Sequence, residues 1–198
     1  MTPNPAEVET QHFSELLVPC AQNSLGRWRQ HMSFWITVWC TKSLSPLTAE
    51  NLRRGVEIND FAMMAENIDL TEEEGYAAEE ALRFEPTCDG FRLHYRPEDP
   101  AWWIGMYRTT GAEARGYGQE AVEEILDGSE PIRVREVVFA VEDHIAFALK
   151  VEDQRSMGYP IAWFTAMWLA KRGTGLVRVG RYEWWDPADY GAPLFRQR

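Results

Sequence analysis

A chain of 198 residues with 45% hydrophobic and 13% aromatic content carries enough apolar side chain for one substantial core and too much for a mainly disordered chain. Its 20 Lys+Arg against 31 Asp+Glu leave a net charge of -11, which repels phosphate backbones and anionic bilayers. That argues against nucleic acid and membrane as partners and favours a basic protein, which such a field would attract and orient.

The chain reads as a single globular domain over 1–198, with a partly irregular leader over 1–30, a first half over 31–128 and a second over 129–198. The opening "MTPNPAEVETQHF" has acids where an export signal would carry bases, and no apolar run follows. From His31 to Lys42, "HMSFWITVWCTK" alternates Phe34, Ile36, Val38 and Cys40 against Trp35, Thr37 and Trp39, the pattern of an interior strand apolar on both faces. Ser45 or Thr48 then caps a helical stretch that is interrupted near Asn59, and Thr71 with Glu74 makes a T-x-x-E capping box for a second one ending before Pro86. "GFRLHYR" and "WWIGMYR" read as two strands joined by "PEDPA", and "EARGYGQEAVEEILDG" as the helix after them. In the second half, "VREVVFAVE" and "HIAFALKVE" read as a strand pair turning at Asp143, with His144 a solvated turn histidine that the adjacent acids would protonate.

Residues Tyr159 to Arg172 read as the most buried helix. Ala162, Ala166 and Ala170 make a small-residue stripe for close packing, flanked by Trp163, Phe164, Met167 and Trp168, with Gly173 as a left-handed stop. "GLVRVGRYEWW" closes the series as a strand. The expected class is α+β, an antiparallel sheet with helices mainly on one face in β-α-ββα-ββα-β order, matching two overlapping ferredoxin-like halves. The longest apolar run, about "YPIAWFTAMWLA", is too short for a bilayer span, which takes ~20 residues.

No dinucleotide, P-loop, zinc-protease, hydrolase-elbow or EF-hand motif occurs, so no cofactor, no metal and no catalytic residue is assigned, and a binding protein is favoured over an enzyme. Cys20, Cys40 and Cys88 form no CxxC or Cys/His cluster and read as reduced thiols of a cytoplasmic protein. From Gly55 to Gly90 there are eleven acids against one base, Arg83, and Glu72, Glu73 and Glu74 at its centre are candidate contacts for a basic partner. In the pairs Trp102-Trp103 and Trp184-Trp185, strand neighbours point to opposite faces, so one member of each pair is a candidate outward anchor. Arg92, His94 and Arg96 recur every second residue and form an alternative site, for a small anionic ligand on the open face of the sheet. A homodimer burying its tryptophan face is a further possibility.

A small, acidic, tryptophan-rich α+β chain closing on "AMWLAKRGTGLVRVGRYEWWDP" resembles the immunity proteins that bacteria encode beside polymorphic or type VI secreted toxins. The resemblance covers about the last forty residues and transfers no functional residue. It implies a cytoplasmic protein that inhibits a cognate toxin by covering its active site.

Overall fold

The structure is a computed structural model and describes residues 34–126, 128–180, 183–189 and 191–196. Its elements are β1 (Phe34–Cys40), α1 (Ala49–Glu57), α2 (Phe61–Glu66), α3 (Glu72–Ala81), β2 (Arg83–Thr87), β3 (Gly90–His94), β4 (Ile104–Thr110), α4 (Gly111–Ile125), α5 (Ile132–Phe139), β5 (Asp143–Leu149), a 3-10 turn (Glu152–Arg155), α6 (Gly158–Arg172), β6 (Leu176–Val179), β7 (Glu183–Trp185) and β8 (Phe195–Arg196). The eight strands form one antiparallel sheet in the order β2-β3-β4-β5-β1-β6-β7-β8, so the chain is α+β with helices packed on a sheet. Its centre, β4-β5-β1-β6 with α1 and α6 packed together, has the strand order of a single ferredoxin-like unit. Hairpin strands widen that unit on both edges.

The first face of the sheet is covered by α1, α2, α3 and α6. Ile36, Val38, Phe147, Ile104 and Leu93 meet Leu52, Phe61, Ile161 and Met167 in the larger core. Helix α6 buries its alanine stripe, Ala162, Ala166 and Ala170, completely, because small residues let its backbone approach the strands. Trp163, Phe164 and Trp168 lie half-buried beside that stripe. At the end of α6 the left-handed residue is Thr174, with φ 54, whereas Gly173 has φ -89.

The second face is covered over part of its area by α4 and α5, which close a smaller core of Trp39, Ala114, Val134, Val138, Leu176 and Trp184. Helix α5 replaces the strand expected over "VREVVFAVE". Its β-branched residues favour a strand, but Val134, Val137 and Val138 recur at i, i+3 and i+4 and are fully buried along one helical side, with buried Val141 just past the helix end. Likewise Arg83–Thr87, expected at the end of a helix, is a strand. Pro86 is tolerated there because β2 lies at the edge of the sheet. The closing strand is two, β6 and β7, reversing beside Gly180 at φ 58.

A buried ion pair fixes the end of the first core. Arg108 Nε and Nη2 donate to Asp143 Oδ1 and Oδ2 at 2.7 and 2.9 Å, and the Leu44 N–H donates to Oδ2 at 2.7 Å. Asp143 is fully buried, so this bidentate geometry and the third donor compensate its desolvation.

Candidate functional site

Helices α1 to α3 form an acidic lobe on the outer side of the first core. Thr48, Asp60 and Thr71 cap them through side-chain acceptors. In α3 the expected capping box is present: Glu74 Oε2 accepts from the Thr71 N–H at 2.8 Å, and Thr71 Oγ1 accepts from the Glu74 N–H at 3.2 Å. Glu74 is therefore engaged in holding its own helix, while Glu72 and Glu73 stand exposed in the first turn. Glu50 and Glu57 are paired with Arg54 and Arg53, whereas among the described residues Glu66, Glu72, Glu73, Glu79 and Glu80 have no cationic partner.

The same lobe exposes three large apolar side chains, Ile58 at 75%, Met63 at 58% and Tyr76 at 55%. Sequence reading missed them, although the signal was present. In α2 the stripe Phe61, Met64 and Ala65 turns inward, which leaves Met63 outside, and in α3 buried Gly75 and Ala78 do the same to Tyr76. A shallow pocket of about 260 Å³ lies at the root of the lobe between α1 and α6, lined by Gly55, Ile58, Asn59, Phe164, Trp168 and Lys171.

The two tryptophan pairs are placed differently. Trp184 is fully buried in the smaller core, 6.0 Å from Trp39 between ring centroids, and so offers no surface to a partner. Trp185 turns to the opposite face and is half-buried against Trp163 at 5.0 Å. Trp102 is half-buried and anchored, its Nε1–H donating to Asp153 Oδ1 at 2.7 Å with Arg96 and Lys150 over its ring at 4.2 and 3.7 Å. Trp103 lies on the second face, half-buried beneath the Arg92 guanidinium at 5.1 Å.

Asp153 is the hub of the corner around Trp102. It is fully buried and also accepts from Tyr95 Oη at 2.6 Å and the Lys150 N–H at 2.7 Å. Burial first, and then the hydrogen bond to this carboxylate, push the Tyr95 phenol up to about 12. Arg96 Nε donates to the Tyr95 oxygen at 3.0 Å, so Arg96 serves this corner. Arg92 and His94 turn instead to Glu85. His94 Nδ1 accepts from Arg83 Nη2 at 3.2 Å, because a guanidinium has no acceptor, and its Nε2–H donates to Glu85 Oε2 at 3.0 Å. Glu85 Oε1 stands 3.5 Å from Arg92 Nη1. The structure thus does not converge Arg92, His94 and Arg96 on one point, and a carboxylate already occupies the space between the first two.

Beyond the part packed against α4 and α5, the second face has a definite floor. Trp35, Ala148, Gly105 and Arg92 lie side by side across β1, β5, β4 and β3, and Thr37, Ala146, Tyr107 and Gly90 form the next row. The Trp35 and Tyr107 rings stand 6.4 Å apart, and a Cβ at Gly105 would meet the Tyr107 ring at 2.7 Å, so the glycine is needed for that ring to lie down. One row further on, His144 is buried between Trp39 at 4.5 Å and Tyr117 at 5.2 Å. It is not a solvated turn residue. Burial, with Arg178 nearby, lowers its pKa to about 4, the reverse of the protonation expected from Glu142 and Asp143.

The cysteines also depart from the expectation of three reduced thiols. Cys40 is a free, buried thiol that burial pushes up to about 12, but Cys88, exposed in the β2–β3 turn, is disulfide-bonded. Among the described residues no His, Cys, Asp and Glu group could hold a metal ion, and no helix is long and apolar enough to cross a membrane. No family model, curated protein or solved structure matches this chain.

Proposed function

We propose that the protein binds and neutralises a basic partner protein, as an immunity protein covers the active site of its cognate toxin. The observation that carries this reading is the lobe of α1 to α3, where unpaired Glu66, Glu72, Glu73, Glu79 and Glu80 accompany exposed Ile58, Met63 and Tyr76. Carboxylates without internal partners steer a cationic surface into place, and exposed apolar side chains among them provide contacts that hold it once water is expelled. Glu72 and Glu73 act in steering, while Glu74 contributes charge and stays tied to Thr71. Of the tryptophans, half-buried Trp102, Trp103 and Trp185 retain surface to extend such an interface, and fully buried Trp184 does not.

The partner is sought as the product of the gene beside this one, tested by co-expression. Rescue of growth by the wild-type protein, with loss of rescue for Glu72→Lys/Glu73→Lys at unchanged folding, supports the reading. Full rescue by that variant removes the acidic lobe from it. The alternative, an anionic small molecule held by Arg92, His94 and Arg96, requires Glu85 to be displaced first.

A further inference from the structure

The pocket at the root of the acidic lobe is separate from the carboxylates that carry the proposed function. Resting on that reading of a basic partner, we propose that the pocket between α1 and α6 receives one aromatic side chain of the partner, and that its charged rim sets the partner's orientation.

A glycine inside a helix shapes this pocket. Gly55 is buried within α1, and a Cβ there would fall on the Trp168 ring, so the indole takes the space a side chain would fill. Glycine weakens a helix interior, so the ring, and not helix formation, accounts for its use at this position. Phe164, one turn before Trp168 on α6, and Ile58, one turn beyond Gly55, complete the apolar walls. Trp168 and Phe164 are half-buried, and Ile58 is 75% exposed. The space of about 260 Å³ lies below the ~300–1,000 Å³ of small-molecule sites and suits a single large side chain. An aromatic ring there would stack on or abut Trp168 and Phe164 and lose its water, the environment in which one residue dominates an interface.

The rim is divided by charge. On the α6 side stand Lys171, which lines the pocket, and Arg172, whose guanidinium lies 5.5 Å from the centre of the Trp168 ring. On the lobe side Asp60 follows Asn59, and Glu66 ends α2. Among the described residues none of these four has an ion-pair partner. Asn59 Nδ2 donates to the Val56 carbonyl at 2.9 Å, which leaves the Asn59 amide oxygen as an acceptor for a partner N–H. A lysine or arginine entering the pocket would meet Lys171 and Arg172, so the entering side chain is uncharged. The partner's cations lie instead over Asp60 and Glu66, and the reversed orientation sets like charges against each other.

The test titrates the full-length protein with two short lysine-rich peptides that differ only in a central phenylalanine or alanine, and follows the Ile58 methyl resonances by NMR. The phenylalanine peptide should bind about tenfold more tightly and move the Ile58 signals, which the alanine peptide leaves in place. Equal, salt-dependent affinities would leave the acidic lobe as the site of recognition and overturn the pocket, whereas binding of neither peptide would overturn both. Ile58 signals that move with protein concentration alone would assign the pocket to a second copy of this chain and overturn the partner's side chain as its occupant. Ile58→Ser should abolish the difference between the peptides, while Glu72→Lys/Glu73→Lys should weaken both and keep their ratio; a ratio unchanged in Ile58→Ser places the ring elsewhere. A third peptide with arginine in place of the phenylalanine should gain several-fold in affinity for Lys171→Glu, and no gain overturns the orienting role of the rim. All the substituted side chains are exposed, and thermal denaturation checks that each variant is folded.

Discussion

The two faces of the sheet are closed by different means. On the first, four helices bury a continuous layer from Leu93 across Phe147 to Val177, so every central strand is covered. On the second, among the described residues, α4 and α5 close the Trp39 and Trp184 end, and the other half carries half-buried Trp35, Tyr107 and Trp103 beside buried alanines and a glycine. The first face therefore holds the fold, and its outer helices are free to carry unpaired carboxylates. The first side thus carries both the larger core and the unpaired carboxylates outside it, whereas the second side carries its smaller core at one end and aromatic rings on the rest.

That contrast is broken or sharpened by substitution. The largest effects belong to the first face: Phe147→Ala should cost about 3–5 kcal/mol by chemical denaturation, against about 1 kcal/mol for Tyr107→Ser, half-buried on the second. Equal losses would mean that the two faces contribute alike. Arg108→Met, which leaves Asp143 buried without its cation, should also cost about 3–5 kcal/mol.

Next in size is a pH effect confined to the second face. His144 titrates near 4 in the folded protein, below its ordinary 6.5, so the unfolded chain binds the proton first. Stability is complete above about 6.5 and falls as pH drops towards 4, by about 3 kcal/mol in total. Denaturation midpoints between those pH values should lose most of this slope in His144→Phe. A smaller loss, about 1–3 kcal/mol, is expected for Gly55→Ala, where the new Cβ falls on the Trp168 ring and α1 must move from α6. The smallest is Glu72→Lys/Glu73→Lys, within about 0.5 kcal/mol, since both side chains are exposed and unpaired.

Much of this division was legible in the sequence. The alternation in "FWITVWC" marked β1 as buried on both sides, the T-x-x-E box marked α3, and the alanine stripe marked the helix that packs closest. Helix α5 was hidden because its three valines favour a strand by propensity, while their helical spacing matters only once a second core exists to receive them. The fate of His144 was hidden for a related reason. Its sequence neighbours are acids, but its spatial neighbours are the rings of Trp39 and Tyr117. Of the candidate residues, the exposure of Glu72 and Glu73 followed from helical geometry, whereas the burial of Trp184 depended on α4 and α5 closing over one end of the second face. Likewise Glu85 could be placed between Arg92 and His94 only once β2 was known to pair with β3.

The assignment of recognition to the acidic lobe is tested most directly by calorimetric titration of the neighbouring gene's product into the wild-type protein and into Glu72→Lys/Glu73→Lys, each at ~50 and ~500 mM salt. The expected result is an affinity that falls about tenfold or more with salt for the wild type and with the substitutions at low salt, the variant losing most of the salt dependence. Binding that is equally tight in all four titrations would contradict it.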